Sequence, residues 1–140
     1  MCVMHEYSVE FRISGAALVP ATVTTALKLE PSLVREVGER RGATTRVWDK
    51  ALWAYDGFAG QHSNCWSSLE DGFHFLLDKL EPLKTRIEEY KQDHDVFFWC
   101  GHFQSSFDGG PKLSAKLLRR LADFGVDVYI DNHFYEPRRC

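Results

Sequence analysis

The sequence predicts a single α+β domain, a mixed sheet of four to five strands with helices packed mainly on one of its faces. Along the chain, segments in which apolar and polar residues alternate, as in strands, are interspersed with segments whose apolar residues recur at helical spacing. The last helix is short and lies between two strands, at 96–104 and 126–134. Such a unit makes a parallel crossover, so these two strands are expected to run parallel, adjacent or one apart. The 140 residues fit one globular domain, residues 1–140.

The first half of the chain begins with the clearest element, a strand at residues 5–14. Apolar or aromatic side chains occupy its odd positions and polar ones its even positions, which predicts one buried and one wet face. Pro20 can open a helix and Pro31 cannot lie inside one, so a short helix is expected at roughly 20–28. Residues 32–46 fit either extended or helical structure. The Trp-rich segment 46–56 predicts a second strand, and a Gly-rich loop follows it.

The second half opens with a helix whose start is marked by Ser67 and Glu70, at capping-box spacing. Pro82 breaks or kinks this helix, and a second helical pattern continues to about Gln92. Ser114 is a good N-cap for the last helix, and Gly125 stands at its usual end. The inward stripes of the first and last of these helices are Leu69, Phe73, Leu76, Leu77 and Leu80, and Leu117, Leu118, Leu121 and Phe124.

The strand at 96–104 is apolar on both faces as far as His102, which predicts a central strand covered on both sides. Residues 108–111, Asp-Gly-Gly-Pro, have the composition of a turn. The final strand places Val126, Val128 and Ile130 on one face. The other face is polar and partly aromatic, and it carries Asp127, Tyr129, Asp131 and His133. The last five residues are expected to be a frayed tail.

Composition excludes several classes of protein. The formal net charge of −3 lacks the basic footprint of a nucleic-acid binder. No apolar run approaches the ~18 residues of a membrane span. The N-terminal residues lack the basic and apolar regions of a signal peptide, so a cytoplasmic location is expected. The cysteines, at positions 2, 65, 100 and 140, are spaced neither as a disulfide framework nor as a zinc ribbon. Free thiols are expected, with no cofactor.

One group of residues suggests chemistry. Cys100 and His102 share a face of their strand, and Asp131 and His133 share a face of theirs. If the two strands are neighbours in a favourable register, these four side chains form a ligand set of the kind that zinc accepts. A metal- or Cys-dependent enzyme centred on them is the alternative function. Against it, Cys is most often a small buried hydrophobe, and zinc ligands are usually more closely spaced.

The chain resembles a small bacterial family known as domain of unknown function 4279. Five stretches carry the resemblance in order along nearly the whole chain: YSVEFRISG, VTTALKLEPS, ALWAYDG, LEDGFHFLLDKLEPLKTRI and KLSAKLLRRLADFGVDVYIDNHFY. The resemblance supports the fold and the chain length. It implies no catalytic residues, because the family has no assigned activity. An immunity- or accessory-type role is the expectation attached to small bacterial families of this sort.

The leading hypothesis is a non-enzymatic protein-binding module. If helices cover one face of the sheet, the polar and aromatic side chains of the first and last strands share the other face. The residues expected to bind a partner are Arg12, Asp127, Tyr129, Asp131 and His133. Tyr and Arg are enriched at protein interfaces, and acidic surfaces steer basic partners. Two alternatives remain for this face: a second copy of the chain covers it, or it is an ordinary solvated surface.

Overall fold

The computed structural model describes residues 4–61 and 63–135, and its centre is a sheet whose strand order differs from chain order. The strands are β1 (His5–Gly15), β2 (Leu33–Arg35), β3 (Ala51–Tyr55), β4 (Asp95–Gln104) and β5 (Asp127–Phe134). They are arranged in the order β2-β3-β1-β4-β5. The first strand of the chain is therefore the central strand, and β5 forms one edge.

The sheet is mixed, as the sequence predicts. β1 pairs antiparallel with both β3 and β4, and β2 pairs antiparallel with β3. β4 and β5 run parallel and adjacent, joined by the helix between them. The predicted parallel crossover is thus confirmed.

The helices lie where the apolar stripes predict them, although Leu118, predicted to face inward, is 50% exposed. They are α1 (Pro20–Leu27), α2 (Leu69–Leu80), α3 (Lys84–Tyr90) and α4 (Ala115–Phe124), with a short 3₁₀ turn, Glu81–Leu83, around Pro82 between α2 and α3. Pro20 occupies the first turn of α1, where no backbone N–H is needed. α4 ends at Gly125, whose φ of 82° is the left-handed conformation that suits glycine.

The core lies between these helices and one face of the sheet. Phe11 on β1 and Phe98 on β4 are cross-strand neighbours, and both are fully buried. Phe73 of α2 meets Phe98 edge-on, and Phe124 of α4 contacts both strand residues. On the same face, the indole N–H of Trp53 donates a hydrogen bond to Thr24 of α1. The helices therefore pack on one face of the sheet, which confirms the predicted architecture.

The structure corrects several details. Residues 32–46 supply only the three-residue β2, and the strand predicted at 46–56 is shortened to β3. The apolar residues of β4 are not covered on both sides, because Phe97, Trp99 and Phe103 are only half-buried on the face without helices. The cap of α2 is Ser68 rather than Ser67, and its hydroxyl accepts the backbone N–H of Asp71.

Some sequence-based expectations concern residues that the structure does not describe, and others can be checked only for the described residues. The predicted frayed tail at 136–140 falls outside them, as do Cys2 and Cys140. Within them, Cys100 is a buried free thiol and Cys65 is exposed. In the described ranges, no helix has the length and apolar character that crossing a bilayer requires.

Candidate functional site

The five side chains expected to bind a partner lie on one face of the sheet, opposite the helices. Register decides this, since directly paired residues point to the same side. The cross-strand rows on this open face are Arg12–Phe97–Asp127, Trp99–Tyr129, Gly101–Asp131 and Phe103–His133. The structure therefore brings the predicted residues onto one surface, with three aromatic side chains of β4 between them.

The most accessible part of this face is formed by β4 and β5, and we call it the β4–β5 patch: Trp99, Phe103, Asp127, Tyr129, Asp131 and His133. Tyr129 is 58% exposed, and the side chains of Asp131 and His133 are 40% and 46% exposed. His133 stacks on Phe103 and lies 3.2 Å from a carboxylate oxygen of Asp131. The patch thus combines aromatic rings with two solvent-accessible carboxyl groups.

Arg12 is less accessible to solvent than Asp127, Tyr129, Asp131 and His133, the other four residues expected to bind a partner. Its guanidinium lies 4.4 Å from the centre of the Trp99 ring and donates a hydrogen bond of 3.1 Å to Glu10. Both side chains of this ion pair are only 15% exposed, and Glu10 also accepts a hydrogen bond from Ser32. Arg12 is therefore neutralised within the protein, where it lies over one side of Trp99.

The β2–β3 end of the same face is shielded. The guanidinium groups of Arg35 and Arg41 lie 4.1 and 4.3 Å from the centre of the Trp48 ring. Burial, followed by repulsion from Arg12, lowers the pKa of Arg35 below its ordinary value. Leu52 points to this face and is only 6% exposed. The open surface is therefore confined to the β4–β5 side of the sheet.

A cavity of about 470 Å³ adjoins the patch at the end of the sheet where β4 and β5 begin. Phe97, Asp127 and Tyr129 line it on the sheet side. Lys91, which follows α3, also lines the cavity, and its ammonium group donates a hydrogen bond to the backbone carbonyl of Gly125. The cavity gives the acidic side of the patch a recess beside Asp127.

The four residues of the alternative enzyme site do not converge, which corrects that expectation. Cys100 pairs with Ile130 and His102 with Asn132, on the helix-covered face. Asp131 and His133 are one position out of phase with these partners and point to the open face. Burial also raises the pKa of the Cys100 thiol to about 12, which disfavours the nucleophilic thiolate. Across residues 4–61 and 63–135, no group of three or more His, Cys, Asp or Glu side chains is arranged to hold a metal ion.

His102 instead belongs to a chain of hydrogen bonds that sequence reasoning missed. His5 Nε2 lies 2.6 Å from the carbonyl oxygen of Asp108, and His5 Nδ1 lies 2.9 Å from His102 Nε2. His102 Nδ1 lies 2.9 Å from the side-chain oxygen of Asn132. Tyr7 and His5 both stack on the His102 ring, which is 4% exposed. The chain links β1, β4, β5 and the loop before α4.

The hydrogen-bond partners of His5 and His102 determine how many ring hydrogens this histidine pair carries. The Asp108 carbonyl only accepts, so His5 Nε2 carries a hydrogen, and Nδ1 of a neutral His5 accepts from His102 Nε2. If Asn132 turns its NH₂ toward His102, the pair is neutral. If it presents its oxygen, the three contacts need three ring hydrogens, and the hydrogen between the two rings can lie on either of them. Because His5 contacts the carbonyl oxygen of Asp108, the pair holds the 108–111 turn in place. Gly109 and Gly110 of this turn have positive φ and pass close to the two rings.

Comparisons with known proteins place the chain in a family without an assigned activity. A family model described as Domain of unknown function (DUF4279) matches residues 5–135, nearly the whole chain. No curated protein and no solved structure matches.

Proposed function

The chain belongs to the DUF4279 family, and we propose that it is a non-enzymatic module that binds a basic segment of another protein through the β4–β5 patch. The family description assigns no activity. The proposal therefore rests on one observation: half-buried and exposed aromatic side chains share the helix-free face with two accessible carboxylates. In the same proposal the protein acts in the bacterial cytoplasm, in an immunity- or accessory-type role.

The aromatic content of the face supports recognition over simple solvation. An antiparallel or mixed sheet with one wet face normally carries polar side chains there. Here Trp99 and Phe103 are half-buried and Tyr129 is 58% exposed. Rigid aromatic side chains that remain partly exposed supply contact area at a small cost in conformational entropy, and they are enriched at protein interfaces.

The charges of the face select the chemistry of the partner. Arg12 is neutralised by Glu10, whereas Asp127 is exposed and Asp131 is 40% exposed. The accessible charge of the patch is therefore negative. An arginine side chain fits best, because its planar guanidinium stacks on Tyr129 while donating to a neighbouring carboxylate. The cavity beside Asp127 accommodates a second basic side chain of the same segment.

The experiment uses the full chain as an immobilised bait in a lysate of its source cells, next to the double variant Asp127→Lys/Asp131→Lys. Proteins retained only by the wild type are identified by mass spectrometry and purified, and their binding is measured by calorimetry. We expect the double variant to weaken binding at least about tenfold, because it replaces attraction by repulsion at two contacts. Asp123→Lys makes one replacement of the same kind at an exposed position on α4, away from the open face, and is expected to bind like the wild type.

Two results would overturn the proposal. The first is equal affinity of the double variant and the wild type for a purified partner, or an identical set of captured proteins, which is the behaviour of an ordinary solvated face. The second is unfolding of the double variant. A stable fold is expected because Asp127 is exposed and the side chain of Asp131 is 40% exposed, and surface substitutions usually change stability by less than about 0.5 kcal/mol.

A further inference from the structure

The outer edge of β5 is a second surface with an unassigned role. β5 is the last strand of the sheet and runs for eight residues, Asp127–Phe134. It contains neither Lys nor Pro, the residues that commonly protect an edge strand from pairing. The other edge, β2, has only three residues and is far less able to recruit a strand.

This edge strand carries three large apolar or aromatic side chains that are exposed. Val128 is 37% exposed, Tyr129 58% and Phe134 53%. Phe134 stacks on Phe107, which is itself 83% exposed. A long edge that lacks Lys and Pro and exposes these apolar side chains is suited to strand addition.

We propose that a second copy of the chain pairs antiparallel with β5 about a two-fold axis at Ile130, which joins the two sheets into one. An isologous pair of this kind places each residue opposite a partner that points to the same face, so the two residue numbers add to an even sum. The axis at Ile130 places Asp127 opposite the His133 of the second copy, and Tyr129 opposite its Asp131. Both contacts occur twice, and both are favourable cross-strand pairs.

Neighbouring registers are disfavoured by charge or by length. An axis at Asp131 places the two Asp131 carboxylates opposite each other. An axis at Tyr129 places Asp127 opposite Asp131, again two like charges. An axis at Asn132 overlaps only residues 130–134 of the strand. The polar side chains of β5 therefore complement one another in the register centred on Ile130, which pairs each Asp with a hydrogen-bonding side chain and avoids opposed carboxylates, and this complementarity identifies a second copy as the occupant.

The proposal uses the backbone edge of β5, and its cross-strand pairs also use Asp127, Tyr129, Asp131 and His133 of the β4–β5 patch, so it is tested on the protein alone, without a partner. Light scattering is expected to give twice the monomer mass of 16.1 kDa. In a background with Cys2, Cys65 and Cys140 replaced by serine, Ile130→Cys is expected to form a disulfide-linked dimer on mild oxidation. Directly opposed residues lie about 4.5–5.5 Å apart, within disulfide range.

Asn132→Cys in the same background is the matched control. Its two copies are offset by four residues, roughly 13 Å along the strands, and should not cross-link. Asp127→Lys or His133→Glu alone is expected to weaken self-association roughly tenfold, since each change acts at two symmetric pairs and the latter creates two like-charge pairs. The combined swap is expected to restore self-association. A monomeric mass for the wild type, cross-linking at 132 as efficient as at 130, or failure of the swap to restore association would overturn the proposal.

Discussion

Arg12 offers the sharpest test of how the open face is built. Arg12→Met keeps the length of the side chain and removes its charge. The change loses the contact with Trp99, worth about 1 kcal/mol for a largely desolvated cation–π pair. It also leaves Glu10 with a hydrogen bond from Ser32 and the more distant charge of Arg35.

The cost of the orphaned carboxylate lies between two limits. Removing one partner of a fully buried pair costs about 3–5 kcal/mol. Exposed pairs are worth about 0–1 kcal/mol. Because both side chains of the Arg12–Glu10 pair are 15% exposed, we expect about 2 kcal/mol from this source, discounted for solvent screening, and a total of about 2–3 kcal/mol.

Urea denaturation of the wild type and variants measures this loss. The double variant Arg12→Met/Glu10→Gln removes both charges, so it should cost only about 1 kcal/mol, mainly the lost contact with Trp99. Arg119→Met, at an exposed position on α4, should stay within about 0.5 kcal/mol of the wild type. If Arg12→Met also stays within about 0.5 kcal/mol, the ion pair is solvated, and the conclusion that Arg12 is committed to the protein's own structure is wrong.

Two further predictions concern the helix-covered side. Burial raises the pKa of Cys100 to about 12, so alkylation of the native protein at neutral pH should leave Cys100 unmodified, and peptide mass spectrometry that finds it fully modified would contradict its burial. The backbone N–H of Ser114 donates to Glu70 and is the main cause of its lowered pKa, so the stabilisation is complete above the ordinary pKa of 4.5 and is lost as the pH falls through the lower folded-state pKa. Glu70→Gln should therefore be less stable than the wild type at neutral pH and approach it in acid, and a stability difference independent of pH below 4.5 would contradict this link.

Local periodicity was sufficient to predict most of the fold. The alternation in residues 5–14 and the stripe that contains Leu117 and Leu121 identify which side of each element is buried. The short connection through α4 also predicts the parallel pair β4–β5. The aromatic residues of β4 were misleading, because Trp99 and Phe103 are apolar residues on an uncovered face. Hydrophobicity alone does not distinguish a residue buried by helices from one on the uncovered face of the sheet.

The candidate site depended on register, which periodicity does not supply. Cys100 and Asp131 are both metal-ligand types of residue on adjacent strands, yet a one-residue difference in phase places them on opposite faces. For the same reason no local pattern predicts that His102 meets His5, since 97 residues separate them along the chain. Glu70 is a related case. Its spacing from Ser67 predicts a local cap, but its carboxylate binds the backbone and hydroxyl of Ser114 on another helix.

The central claim is that the face without helices is the recognition surface of this protein. Backbone amide exchange of the full chain, measured with and without a purified partner, tests it most directly. We expect slower exchange in β4 and β5, and unchanged exchange on the exposed surfaces of α1–α4. Protection confined to the helices, with β4 and β5 unaffected, would contradict the claim.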